Sequence, residues 1–222
     1  MVKIKKVRIP TKKEWLALIA VTDGSDDILH WGNVDSWCQD TDPKNPGCRI
    51  IAGREQHDSF GSENVWSRFD DLGFRPAFEV ENPDALGPDG TIVAVDTLLS
   101  GGLSTQVPAD PTWDGDIPNY VPGTALRFVS PVKDTAYQVK AIKVGSILIA
   151  DRVLMLRISW LDIARNFGGD DSETAICRGS MLDGLLDECT DCFGPASSAD
   201  EYGQGYRAGI LHVAEMLGFQ KR

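Results

Sequence analysis

Three groups of side chains have types and spacings that could do chemistry. His57 and Asp58 lie in the polar run Arg54-Glu55-Gln56-His57-Asp58, where a carboxylate could orient an imidazole as a base. No serine or cysteine elbow accompanies them. The chain also has no GxSxG, no P-loop and no GxGxxG leading into a helix. Hydrolase, nucleotidase and dehydrogenase chemistry therefore have no support, and we expect no enzyme and no catalytic residue. Asp110, Asp114 and Asp116 offer oxygen ligands at a spacing that can hold calcium. The distal bidentate glutamate of a calcium loop is missing, so a solvated turn is expected. Cys189 and Cys192 form a CxxC, but it ends a predicted helix instead of opening one, where the helix dipole would lower a thiol pKa.

Cys38, Cys48 and Cys177 are scattered, and the Cys38–Cys48 spacing is wrong for a zinc knuckle. The chain has five cysteines, an odd number that excludes a complete set of disulfides within one chain. Reduced thiols, no metal and no cofactor are expected. The other histidines are His30 and His212; His212 sits beside the apolar face of the last predicted helix, where a packing role is expected in preference to a ligand role.

Between Asp23 and Arg68 regular periodicity is lost, yet the stretch carries Trp31, Trp37, Phe60 and Trp66. Such aromatics are too apolar for a linker, so a packed loop region is expected, with each ring buried or used for contact. Arg54 and Arg68 supply guanidinium groups at its edge. Trp31, Trp37, Arg54, His57, Phe60, Trp66 and Arg68 are therefore the candidate binding residues.

The net charge of −11 disfavours direct contact with nucleic acid or an anionic membrane surface and would suit a basic partner. The start, MVKIKKVRIP, has no apolar run behind it that would make a secretory signal. The longest apolar stretch, Val144 to Leu156, is broken by Gly145, Ser146, Asp151 and Arg152. A cytoplasmic location is expected.

These residues must be positioned by a mixture of strands and helices. Residues 2–9 read as a strand stopped by Pro10, and Thr11-Lys12-Lys13-Glu14 is a capping box opening a helix that ends near Asp23-Gly24. Residues 72–80 resume a strand pattern, and 81–90 are a turn-rich boundary. Two hairpins follow: Thr91–Leu99 turning at Gly101-Gly102 into Leu103–Val107, and Ala136–Val144 turning at Gly145-Ser146 into a dense apolar run over Ile147–Ile158. Trp160–Phe167 is a short helix. Amphipathic faces over Ser172–Cys192 and Asp200–Leu217 suit a helical hairpin.

Ile9-Pro10-Thr11-Lys12-Lys13-Glu14-Trp15 resembles the helix start of the C-type-lectin-like fold of formylglycine-generating enzymes. Gly73-Phe74-Arg75-Pro76-Ala77 resembles the strand that closes that fold. Ser36-Trp37-Cys38-Gln39-Asp40 and Trp66-Ser67-Arg68 resemble uncharacterised proteins of gut Firmicutes and their prophages, and through them the variable ligand-binding proteins of diversity-generating retroelements. The resemblance covers residues 1–80, with a fainter likeness over 90–160. It departs from the enzymes in lacking their paired active-site cysteines. It departs from the sugar-binding lectins in lacking their calcium-ligand tripeptides, for which Glu81-Asn82-Pro83 comes too late. It implies a scaffold and not an activity, and implies that residues 73–80 lie in one buried strand beside residues 2–9.

The expected fold is α+β: a shortened C-type-lectin-like module over 1–82, a small antiparallel β unit over 83–159 and a helical region with a C-terminal hairpin over 160–222. The expected function is that of a non-catalytic phage- or prophage-type binding protein recognising another macromolecule, a protein in particular. The alternative is an acidic phage-encoded inhibitor that occupies the nucleic-acid channel of a host defence nuclease.

Overall fold

The computed structural model describes residues 2–30, 34–53, 58–101, 105–109 and 117–167. Thr11 and Glu14 close the capping box that their spacing predicts. The Glu14 N–H donates to the Thr11 hydroxyl at 3.2 Å, and the Thr11 N–H donates to the Glu14 carboxylate at 2.8 Å. They open α1 (Lys12–Thr22), which Asp23 ends in the left-handed conformation. Arg8 grips the same Glu14 through both terminal nitrogens, at 2.8 and 2.6 Å, and ties the helix start to β1 (Ile4–Arg8). A short α2 (Asp26–Leu29) follows.

The stretch expected to be a packed irregular loop is instead largely a meander of β2 (Asp35–Asp42), β3 (Asn45–Ala52) and β4 (Phe60–Asn64). Two register shifts between Trp37 and Asp42 break the alternation of inward and outward side chains, which is why no period of two is visible in the sequence. Asp35–Cys38 at the start of β2 are buried in succession, so polar and apolar residues do not alternate there.

Residues 72–80 do not form one strand. β5 (Leu72–Phe74) and β6 (Ala77–Val80) are separated by Arg75-Pro76 and lie in different sheets. Proline cannot donate to a ladder, and the chain changes sheet there. β6 does pair antiparallel with β1, placing Ile4 opposite Val80. The next strands are β7 (Ile92–Ala94), β8 (Thr97–Ser100), β9 (Thr105–Gln106) and β10 (Leu126–Val129). β11 (Lys140–Val144), β12 (Ile147–Ala150) and β13 (Met155–Leu156) come last, ahead of α3 (Trp160–Phe167).

The strands form three sheets: β1-β6-β12-β11-β7, β13-β5-β2-β3-β4, and β10-β8-β9. The fold is α+β. The Gly145-Ser146 hairpin joins β11 to β12 as predicted, and β8 pairs with β9. β7 and β8, expected as one strand, belong to different sheets. The strand expected over Ile147–Ile158 ends at Ala150, and β13 resumes in the other five-stranded sheet. Gly73 lets β13 approach β5 closely, since a Cβ there would overlap the Val153 side chain and the Met155 carbonyl.

The expected boundary after residue 82 does not separate compact units, because β6 pairs with β12 as well as β1. Through α3 the described residues belong to one compact unit. The predicted C-terminal helical hairpin, Cys177, the CxxC and His212 lie outside the described residues, as do Asp110, Asp114 and Asp116. Trp15, Leu18, Leu29, Cys38, Ala52, Ala77, Ile142 and Ile149 build a common core under α1. Burial pushes the Cys38 thiol far above its ordinary pKa, and Cys48 is also a buried free thiol.

Candidate functional site

Of the seven candidate binding residues, Trp31, Arg54 and His57 lie outside the described residues. Of the other four, Trp37, Phe60 and Arg68 are engaged within the fold. Trp37 is fully buried and its indole N–H donates to the Ile158 carbonyl at 2.8 Å, which pins β2 to the chain entering α3. Phe60 is partly buried against the common core, with the Lys12 ammonium 4.3 Å from its ring centre. Trp66 is half-buried in the turn after β4. Arg68 donates through Nε and Nη2 to one oxygen of buried Asp162, at 3.0 and 2.7 Å, so its fork is used internally. Asp162 also accepts the Ser159 hydroxyl at 2.6 Å, at the start of α3.

A second polar group carries no motif in the sequence. Arg75 is wholly buried where the chain crosses between sheets, and its terminal nitrogens donate to the carbonyls of Ala150 (3.1 Å) and Leu29 (2.9 Å). Its guanidinium lies 5.1 Å from the Trp15 ring centre. Burial lowers its pKa to about 10, so it remains charged at neutral pH. Asp151, just after β12, is 2% exposed, and its Oδ1 has no hydrogen-bond partner among the described residues. Burial raises its pKa to about 7 against the pull of Arg75, Arg152 and Lys140.

His30 completes this group, with φ of 40° and its Nε2 3.8 Å from Asp151 Oδ2. That distance is too long for a hydrogen bond. Burial and the cations Arg152, Arg75 and Lys140 hold the His30 pKa below its ordinary value. The imidazole is thus neutral at pH 7, and the contact is no salt bridge. A near-neutral carboxyl beside a neutral imidazole resembles an acid–base pair, but Asp151 is buried from solvent. The cluster acts as a clamp: Arg75 holds the end of α2 and the end of β12 in one place. The sequence offered one sign of it, a charged residue inside an apolar run before proline; the fold meets its terminal donors but leaves Nε without a partner among the described residues.

A cavity between β1 and α3 is lined by Lys6, Arg8, Gln39, Trp160 and Phe167. Its volume of about 30 Å³ suits a single water and not a cofactor. Among the described residues no three metal-ligating side chains converge, and no helix is long and apolar enough to cross a membrane. Comparison of the chain with protein-family models, curated proteins and solved structures finds no match.

Proposed function

We propose that this chain is a non-catalytic binding protein of the phage or prophage type that the resemblance implies, and that it recognises another protein. The observation that carries this reading is the register of the second sheet. Ser36 lies opposite Ala52, Ala52 opposite Phe60, and Asp35 beside Leu72. β2, β4 and β5 therefore begin, and β3 ends, at one end of the sheet. The chain that follows Trp31, and the chain on either side of Arg54 and His57, is anchored at that end. Phe69, about half exposed, precedes β5 there together with exposed Asp70 and Asp71. Loops gathered at one end of a rigid sheet are where proteins hold recognition residues. With Trp37, Phe60 and Arg68 used internally, recognition falls to Trp31, Arg54 and His57.

The antiparallel pairing of β1 with β6 supports a C-type-lectin-like element in the scaffold, since it brings residues 4–8 and 77–80 together, although Gly73-Phe74 lies in the other sheet and β12 extends the pairing beyond residue 82. In this reading the protein acts in the cytoplasm, without a cofactor and without touching nucleic acid or membrane. The inhibitor alternative calls for a continuous acidic face. Among the described residues, Glu14, Glu79, Glu81, Asp70, Asp89 and Asp162 each meet a lysine or arginine, which neutralises that much of the charge locally.

Alanine at Arg54 or His57 tests the reading, with partner capture from native-host lysate measured beside thermal melts. Both variants should melt like the parent, and at least one should weaken partner binding by about 1–3 kcal/mol. Unchanged capture by both would refute this assignment of the surface.

A further inference from the structure

We infer that β4 is an open sheet edge that accepts an extended, basic segment of the partner protein as a sixth strand. The inference rests on the protein-binding reading and names how the partner is held. The hydrogen bonding of the β3–β4 ladder carries it. The Gly53 N–H donates to the Ser59 carbonyl at 3.0 Å, and the Val65 N–H donates to the Gly47 carbonyl at 3.2 Å. Between these two bonds the register is unbroken, from Cys48 opposite Asn64 to Ala52 opposite Phe60. Antiparallel ladders alternate, so Gly61 and Glu63 direct their backbone groups toward β3, while Phe60, Ser62 and Asn64 direct theirs away from it. β4 is the last strand of its sheet. Of the outward groups, the Asn64 carbonyl is taken by the Ser67 N–H at 2.9 Å. Among the described residues no backbone bond outside the β3–β4 ladder reaches Phe60 or Ser62, so both present donor and acceptor to a strand laid alongside.

The other edges of the two five-stranded sheets are guarded or short. β1 carries Lys5 and Lys6, follows Lys3, and has a register shift between Ile4 and Lys6. β7 has three residues. β13 has two, and Asn119 bridges to it. Lysines, bulges and shortness are the devices that keep a sheet edge from pairing. β4, Phe-Gly-Ser-Glu-Asn, carries no lysine of its own, keeps an unbroken register against β3 and is longer than β7 or β13.

Charge selects the occupant. Asp58 lies just before the strand, Glu63 lies within it, and Asp42 accepts the Ser62 hydroxyl at 2.8 Å. Hydrogen bonds from the Lys44 backbone and from Ser62 hold the Asp42 carboxyl below its ordinary pKa, so it stays ionised. A second copy of this chain would bring the same net charge of −11 to the contact. A strand with lysine or arginine at alternate positions meets the edge with backbone bonds for affinity and opposite charge for choice.

The outward direction of the Ser62 N–H provides the test. Ser62→Pro removes that donor without removing a β3–β4 bond, which edge positions tolerate. Ser62→Ala removes only the hydroxyl. The full chain is used to select binders from a displayed library of random linear peptides, and the selected peptides are measured against each variant. The inference predicts alternating basic peptides whose affinity falls roughly tenfold or more with Ser62→Pro and stays within about twofold with Ser62→Ala. N-methylation at alternate peptide residues should abolish binding, a readout that holds even if Ser62→Pro fails to fold. Equal binding to Ser62→Pro in its folded state, no selected peptide, or self-association lost in Ser62→Pro would each overturn the inference. A native partner still captured by Ser62→Pro but lost with Arg54→Ala or His57→Ala would overturn strand addition while leaving the protein-binding reading standing.

Discussion

Replacing Asp151 with asparagine should make the protein progressively more stable than its parent as pH rises. The folded state holds the Asp151 proton more tightly than the unfolded chain does, with a pKa of about 7 in place of the ordinary 3.8. Between those values the folded protein binds the extra proton, so stability falls as pH increases through the window and levels off above about pH 7. A difference of about 3 pH units corresponds to an upper bound on the order of 4 kcal/mol. The attraction of Arg75, Arg152 and Lys140 already opposes the cost of burial in that balance, so the net effect keeps this sign. Asparagine cannot ionise, and subtracting the two proteins cancels every other titrating group that the change leaves undisturbed. Chemical denaturation of both at pH 5, 6, 7 and 8 gives the comparison. Near pH 5 the gap should be smallest, and it should open in favour of Asp151→Asn by pH 8. A gap that stays flat, or opens in favour of the parent, would show that the ionised carboxylate stabilises Arg75 by more than its own burial costs.

Trp37→Ala should destabilise the fold by about 3–5 kcal/mol in thermal or chemical melts, since it empties a buried site and removes the bond to the Ile158 carbonyl. Arg68→Ala should cost about 1–3 kcal/mol by withdrawing two donors from buried Asp162, and the loss should shrink when Asp162 is also changed to asparagine. Thr11→Ala should cost about 1 kcal/mol through the capping box, with the loss of helix signal coinciding with global unfolding. Cys38 should react with a thiol reagent only as fast as the protein opens, because burial keeps its thiol protonated.

The features legible in the sequence are those whose physics is local. The capping box at Thr11 and Glu14, the left-handed stop at Asp23 and the Gly145-Ser146 hairpin depend on residues a few positions apart, and each forms where its spacing says. The α+β class follows from the same local patterns. Which sheet a strand joins is a different matter, because it depends on partners far away in the chain. β5 and β6 share one apolar run yet divide at Arg75-Pro76, and β6 finds β12 about 70 residues on. The bulges of β2 hid a strand inside what reads as a loop, since they shift which face each side chain takes. The sequence marks Trp37 and Arg68 as residues able to bind. Only the fold decides that one fills a core and the other completes a buried carboxylate. The clamp of Arg75, Asp151 and His30 has no local spacing at all, for its members come from three separate stretches brought together by the crossing between sheets. The open face of Ser62 has the same origin: which way a backbone N–H points is settled by the strand that pairs on the other side.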